Sequence, residues 1–263
     1  MADYQYLKTE AHPNGVLDVR LARPPANAVD RAMYIEIATL FRDPDALLPD
    51  LQAIVLSGEG KHFCAGNDLD EFATMTPDNG DERMRRVREA FFAIQDCPVP
   101  VVGAVHGAAL GTGLAIAASC DVLVALPDAR FGLPELTVGV MGGARHLARL
   151  APQAVVRRMY FTGEPMTAQA LAEVTGAIVL AEPGRLLETA HGIAARIASF
   201  SPTAIRISKR ILNRVEEMDL QNGYTAEQAC TVRMSGHPDS KEALKAFKER
   251  RAPNYLPLSD EFR

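Results

Sequence analysis

The sequence predicts an α/β protein in which short strands alternate with helices and a helical C-terminal third follows. Three observations predict it. Short, wholly apolar runs such as AIVLSG (Ala53 to Gly58) recur through the first half. Segments with apolar residues at helical spacing separate those runs. Beyond about residue 142 the strand signal nearly stops, and the chain turns Ala-rich and helical.

Each element has its own reason. GVLDVRLAR (Gly15 to Arg23) alternates imperfectly through Val16, Val19 and Leu21 and ends at Pro24-Pro25, as a strand would. AVDRAMYIEIATLFRD carries Ile35, Ile37, Leu40 and Phe41 at mixed helical spacing, with Asp30 as a helix N-cap. AIVLSG suits a strand covered on both faces. DERMRRVREAFFAIQDC puts Met84, Val87, Phe91 and Ile94 on one helical face. VPVVGAV, DVLVAL and ARFGLPE supply three further strands. In the last third only GAIVLAE (Gly176 to Glu182) reads as strand. RHLARL, AVVRRMYFTG, TAQALAEV, RLLETAHGIAARIASF, PTAIRISKRILNRVEEM and KEALKAFKERR read as helices, with Pro202 at a first helical position.

Composition narrows the class. With 48% hydrophobic and 23% charged residues, the 263-residue chain can bury an ordinary globular core. No apolar run reaches the roughly 18 residues that cross a bilayer. The N-terminus MADYQYLKTE lacks the basic lead and apolar core of a secretory signal. The four cysteines stand far apart without CxxC spacing, so reduced thiols and a cytoplasmic location are expected. A net charge of -5 argues against nucleic acid as a partner.

Several chemistries are disfavoured by spacing. GTG (Gly111 to Gly113) has Ile116 where a dinucleotide fingerprint wants Gly or Ala, and SGEGK (Ser57 to Lys61) lacks phosphate-loop spacing. The six histidines show no ligand spacing, so no metal site is expected. No GxSxG appears, and Cys64 reads as buried packing. His146 reads as a packing or capping residue rather than a proton carrier.

Two glycine-containing turns remain, each after a strand. One is HFCAGNDLDEF (His62 to Phe72); the other is HGAALGTGLAIAASCD (His106 to Asp121), which opens a helix near Gly111. Glycines allow close approach of backbone to a ligand, and a helix start offers unpaired N–H groups. Two such N–H groups together could hold a developing oxyanion, each worth about 3 kcal/mol of transition-state stabilisation. The same glycines equally suit close packing of helix on strand, and spacing alone does not decide between the two.

FCAGNDLDEF, HGAALGTGLAIAASCDVLVA, ARFGLPEL and FTGEPMTAQAL, in that order, resemble the crotonase (enoyl-CoA hydratase/isomerase) superfamily from about Gly15 to about Pro253. The resemblance implies a ββα spiral core over residues 1–200, binding acyl-CoA, and a helical oligomerisation region over 201–263. It implies a homotrimer or a dimer of trimers, no membrane partner, and no cofactor beyond the coenzyme A thioester that is the substrate. The family's oxyanion amides fall on Asn67 and Thr112, and its second hydratase glutamate falls on Glu135. Where the first glutamate would stand, this chain has Ala115. Ala26, Ala65, Gly66, Asp68 and Gly111 fall where the family lines its CoA channel, with Phe247 and Lys248 near the adenine. Asp70 stands where the family is often basic, which turns attention to Arg23 for phosphate contacts.

A single carboxylate can move a proton from the α- to the γ-carbon of a β,γ-enoyl-CoA. The resemblance therefore implies an isomerase acting through Glu135. Hydration, other enolate chemistry (decarboxylation, thioester or C–C cleavage) and a non-catalytic CoA- or RNA-binding scaffold stand as alternatives. The segment PELTVGVMGGARHL is also shorter than in the family, which touches the roof of the acyl pocket and the aim of Glu135.

Overall fold

A computed structural model describes residues 4–259, so the outer ends of both expected regions, 1–3 and 260–263, lie outside the described residues. Nine strands occur among these residues: β1 (Leu7–Ala11), β2 (Val16–Leu21), β3 (Ala53–Gly58), β4 (Val101–Val105), β5 (Ala108–Leu110), β6 (Val122–Ala125), β7 (Arg130–Gly132), β8 (Met166–Thr167) and β9 (Ile178–Leu180). Six form the main sheet in the order β1-β2-β3-β4-β6-β9, and β5-β7-β8 form a small second sheet. In the main sheet β1 pairs antiparallel with β2 and every other pair is parallel.

Helices cover both faces of the main sheet, which is why its central strands are apolar runs. On one face Leu17, Val19, Leu21, Ile54 and Leu56 enter the larger core beneath α1 (Arg31–Arg42), α3 (Pro77–Gln95) and α4 (Thr112–Ala118). The four-residue α2 (Leu69–Phe72) precedes α3. The helices α5 (Ala144–Leu147), α6 (Gln153–Thr162) and α7 (Ala168–Thr175) follow the second sheet. On the opposite face Val16, Ala53, Val55, Val102, Ala104 and Val124 pack under α8 (Leu186–Ala198).

The last three helices are α9 (Pro202–Val215), α10 (Leu220–Ser235) and α11 (Pro238–Glu249). Two buried cations fasten α9 to the core. Arg206 is 1% exposed and forks onto Asp45 at 2.6 and 3.0 Å. Lys209 Nζ lies 2.6 and 2.7 Å from the Asp121 oxygens, one of which also accepts from Val101 N.

The strands and helices expected from the sequence are present, and Asp30 caps α1 by accepting from Met33 N at 2.9 Å. Besides short 3-10 turns, four elements escape the sequence reading. β1 is a half-exposed edge strand, and β5 and β8 are only three and two residues long. α10 lacks a clear apolar stripe and carries Gly223, so its N-cap Asp219 is its best local signal.

Candidate active site

The two glycine turns lie side by side. Cys64 N donates to Ala108 O at 2.9 Å and Leu110 N donates to Cys64 O at 3.1 Å, a parallel bridge centred on Cys64 and Ala109. Asn67 and Thr112 each lie three residues beyond that bridge. Gly113 permits the approach, because a Cβ there would fall 2.0 Å from Cys64 O.

Asn67 sits between two main-chain bonds, Val29 N to Gly66 O at 2.9 Å and Asp68 N to Val29 O at 3.0 Å. Its own N–H is left out of that pairing. Thr112 is the first residue of α4, where a helix leaves its N–H groups unpaired. Neither N–H has a hydrogen-bond partner among the described residues.

A cavity of 510 Å³ opens over these turns. Ala65, Gly66, Asn67, Asp68, Gly111, Thr112 and Glu135 all line it. Gly111 has φ 52°, and a methyl group there would meet Glu135 Oε1 at 3.0 Å and Gly66 Cα at 4.0 Å. The carboxylate is thus held over the meeting point of the two loops. Glu135 starts a short 3-10 turn, Glu135–Val138, so it is no solvated strand end. Its Oε2 is shut from solvent without a hydrogen-bond partner, and burial raises its carboxyl above the ordinary carboxylate range. Ala115, where the resemblance would put a second carboxylate, is a buried methyl within α4.

Other expected residues fall elsewhere. Ala26 does not line the cavity; its carbonyl accepts from Ala65 N at 3.0 Å, and Ala28 takes the lining position. Phe247 and Lys248 stand on α11 outside the cavity of their own chain, Phe247 being 82% exposed. Arg23 spans Asp30 at 3.2 Å and Asp68 at 2.7 Å and donates to Ala28 O, so its charge is already matched by two carboxylates. Asp68 in turn caps α2, and the Glu71 N–H, then Arg23, hold its carboxyl below the usual range. His146 packs edge-on against Phe91 with centroids 5.1 Å apart, and burial followed by Arg149 and Arg145 lowers its pKa. Burial pushes the Cys64 thiol up to about 12, which keeps it a protonated packing group.

Two residues here carry no signal in the sequence. Asn27, almost fully buried at φ 52°, donates to Glu59 O, His62 O and Phe63 O and so fixes the first loop. Tyr34 reaches from α1 to both turns. Its hydroxyl donates to Asn67 Oδ1 at 2.5 Å and lies 2.8 Å from Thr112 Oγ1. Burial raises the Tyr34 phenol well above its usual value, which keeps it a neutral donor. In a helix stripe a tyrosine reads as core, and its chemistry shows only when the partners are in place.

Relatives match this chain over nearly its whole length. The sequence profile described as enoyl-CoA hydratase/isomerase matches residues 11–257. A (7aS)-7a-methyl-1,5-dioxo-2,3,5,6,7,7a-hexahydro-1H-indene-carboxyl-CoA hydrolase of Rhodococcus jostii is 36% identical over 242 residues, covering 91% of this chain and 93% of that protein. The 2,3-dehydroadipyl-CoA hydratase of Escherichia coli is 33% identical over 91% of this chain and 94% of its own length. Among solved structures, DspI of Pseudomonas aeruginosa superposes with a TM-score of 0.91 at 30% identity, covering 97% of this chain and 98% of its own. An enoyl-CoA hydratase of Mycobacterium smegmatis gives 0.89 at 28% identity, over 95% and 98%. With sequence and structure agreeing over that length, the chain belongs to the enoyl-CoA hydratase/isomerase family.

Proposed function

We propose that this protein stabilises the enolate of an acyl-CoA thioester and shifts a β,γ double bond into the α,β position. The Asn67 and Thr112 amides would hold the thioester oxygen as it gains charge. Glu135 would take the proton from the α-carbon. The electron pair would move through the enolate, and the protonated Glu135 would return the proton at the γ-carbon. One observation carries this reading: Glu135 is a partly buried carboxylate with one oxygen unpartnered, facing the two turns, while Ala115 offers no second acid. Holding and splitting water as the family's hydratases do needs that second carboxylate.

A second reading is hydrolysis, favoured by the name of the Rhodococcus relative. In it Glu135 takes its proton from water, whose oxygen forms a new bond to a carbonyl carbon. The C–S or C–C bond to the leaving group then breaks, and the leaving thiolate or enolate receives the proton.

The test is a panel of acyl-CoA thioesters that includes a β,γ-enoyl-CoA, crotonyl-CoA and cyclic keto-acyl-CoA esters. Conjugated enoyl formation and free-thiol release are followed separately. Isomerisation yields conjugation without thiol; hydrolysis yields thiol or a ring-opened acid. Turnover undiminished in Glu135→Gln refutes Glu135 as the base, and binding without turnover on any ester favours a scaffold.

Assembly as a trimer or a pair of trimers is supported by apolar side chains left uncovered at the C-terminal end, among them Leu220, Val232 and Phe247. A neighbouring subunit could then bring Phe247 and Lys248 to the adenine. Light scattering of the purified protein gives the subunit number.

A further inference from the structure

On the face of the main sheet away from the acyl cavity, three side chains distant in sequence converge. His12 follows β1, Asp18 lies on β2, and His191 lies on α8. Strand alternation sets the placement: Leu17 and Val19 enter the cavity-side core, so Val16 and Asp18 face α8. His12 Nε2 stands 3.3 Å and His191 Nε2 3.2 Å from the same oxygen, Asp18 Oδ2. The imidazoles meet edge to face with centroids 5.1 Å apart.

Hydrogen bonding does not account for this arrangement. His12 Nε2 is shut from solvent and makes no hydrogen bond despite its approach to Asp18, and Asp18 Oδ1 is buried and unpartnered too. Asp18 is 8% exposed, and no lysine or arginine pairs with it among the described residues. Arg20, two residues along the same strand face, turns to Glu10 instead. Buried polar atoms are satisfied almost everywhere in folded proteins, so two orphans at one point call for a ligand.

We propose that His12, Asp18 and His191 form a binding site for a divalent ion of the zinc type. Two imidazoles and one carboxylate are a zinc donor set that leaves a fourth position open. Donor atoms about 2.0–2.1 Å from a tetrahedral ion lie about 3.3–3.4 Å apart, close to the two nitrogen–oxygen separations here, and all three donor atoms lie within 4.8 Å of one another. The ion clamps the turn between β1 and β2 onto α8. The sheet separates it from Glu135, so its role is to hold the edge of the fold together, whichever reaction the cavity performs.

The test uses tag-free full-length protein stripped with a chelator and titrated with Co²⁺, then with Zn²⁺. The expected result is one Co²⁺ per chain with visible ligand-field bands, displaced by Zn²⁺, and a rise in Tm with the first equivalent of zinc. His191→Ala, at a part-exposed helix position, should weaken Co²⁺ binding by roughly a hundredfold or more with the circular dichroism unchanged. Asp18→Asn should do the same and serves as the second variant. Absence of stoichiometric binding at micromolar metal, or binding that survives both substitutions, overturns the proposal.

Discussion

The two turns that floor the cavity offer equivalent amides by different means. The first is locked by main-chain pairing on either side of Asn67, through Val29. The second is railed on one side only, where Gly111 N donates to Gly132 O at 2.9 Å just before Thr112. It depends on the backbone that Gly111 adopts at φ 52°, on the start of α4, and on Gly113 letting the helix touch Cys64. One amide is held by hydrogen bonds on both sides, although Gly66 before it also takes a positive φ of 122°. The other is held by pairing on one side and by the absence of a side chain at Gly111 and Gly113. The second turn is therefore the fragile one, and substitutions should show it.

The largest effect is expected at Gly113→Ala. Its methyl would need the space of Cys64 O, so the turns must separate at a cost of about 3 kcal/mol or more. Thermal melts and turnover should both collapse, whereas Asn67→Ala keeps the paired amide and, losing the bond from Tyr34, should cost no more than about tenfold in turnover.

Next comes Glu135→Gln, which leaves the turns alone and removes the proposed base. Turnover should fall about 10²–10⁴-fold while acyl-CoA binding persists. Stability should move the other way. Burial raises the folded-state pKa of Glu135, so its stabilising contribution is present at low pH and is lost as pH rises through that raised value. Glutamine escapes the loss, so the Tm of the variant relative to the parent should increase from about pH 4 to about pH 7. The acid limb of the parent's pH–rate profile should likewise fall above the ordinary carboxylate range.

Tyr34→Phe tests whether the turns are coupled. It strands Asn67 Oδ1 and Thr112 Oγ1, at about 1–3 kcal/mol of stability. If Tyr34 positions both amides, kcat should drop about tenfold with KM nearly unchanged, the pattern of an interaction made only in the transition state. A lower Tm with kcat per folded molecule intact would reduce Tyr34 to packing. The smallest effect is expected for Thr112→Gly, which keeps the amide and clears the Cβ. KM for bulky acyl groups should fall a few-fold, with short ones barely changed.

The same contrast explains what the sequence discloses. β3 and β4 are legible because burial on both faces leaves wholly apolar runs, and Asp30 is legible because capping is local. Asn67, Thr112 and Glu135 are legible only through motifs that resemble a family, since spacing alone leaves close packing open. The Tyr34 hydroxyl and the Asn27 side-chain N–H groups donate to partners tens of residues away, so no short window of sequence contains those bonds. His12, Asp18 and His191 come from a turn, a strand and a helix separated by up to 179 residues (191 − 12), and no ligand-spacing rule spans that. α10 shows the opposite limit: a helix lacking an apolar stripe leaves little periodic trace.

The anchoring of α9 limits where this protein can be cut. Severing the chain near residue 200 would strand Asp45 and Asp121 as anions bereft of Arg206 and Lys209, the second of them at the foot of β6. The tail is stitched into the body by electrostatics that neither half can supply alone, so an isolated 1–200 fragment should emerge from the ribosome as a client for chaperones rather than a minimal enzyme.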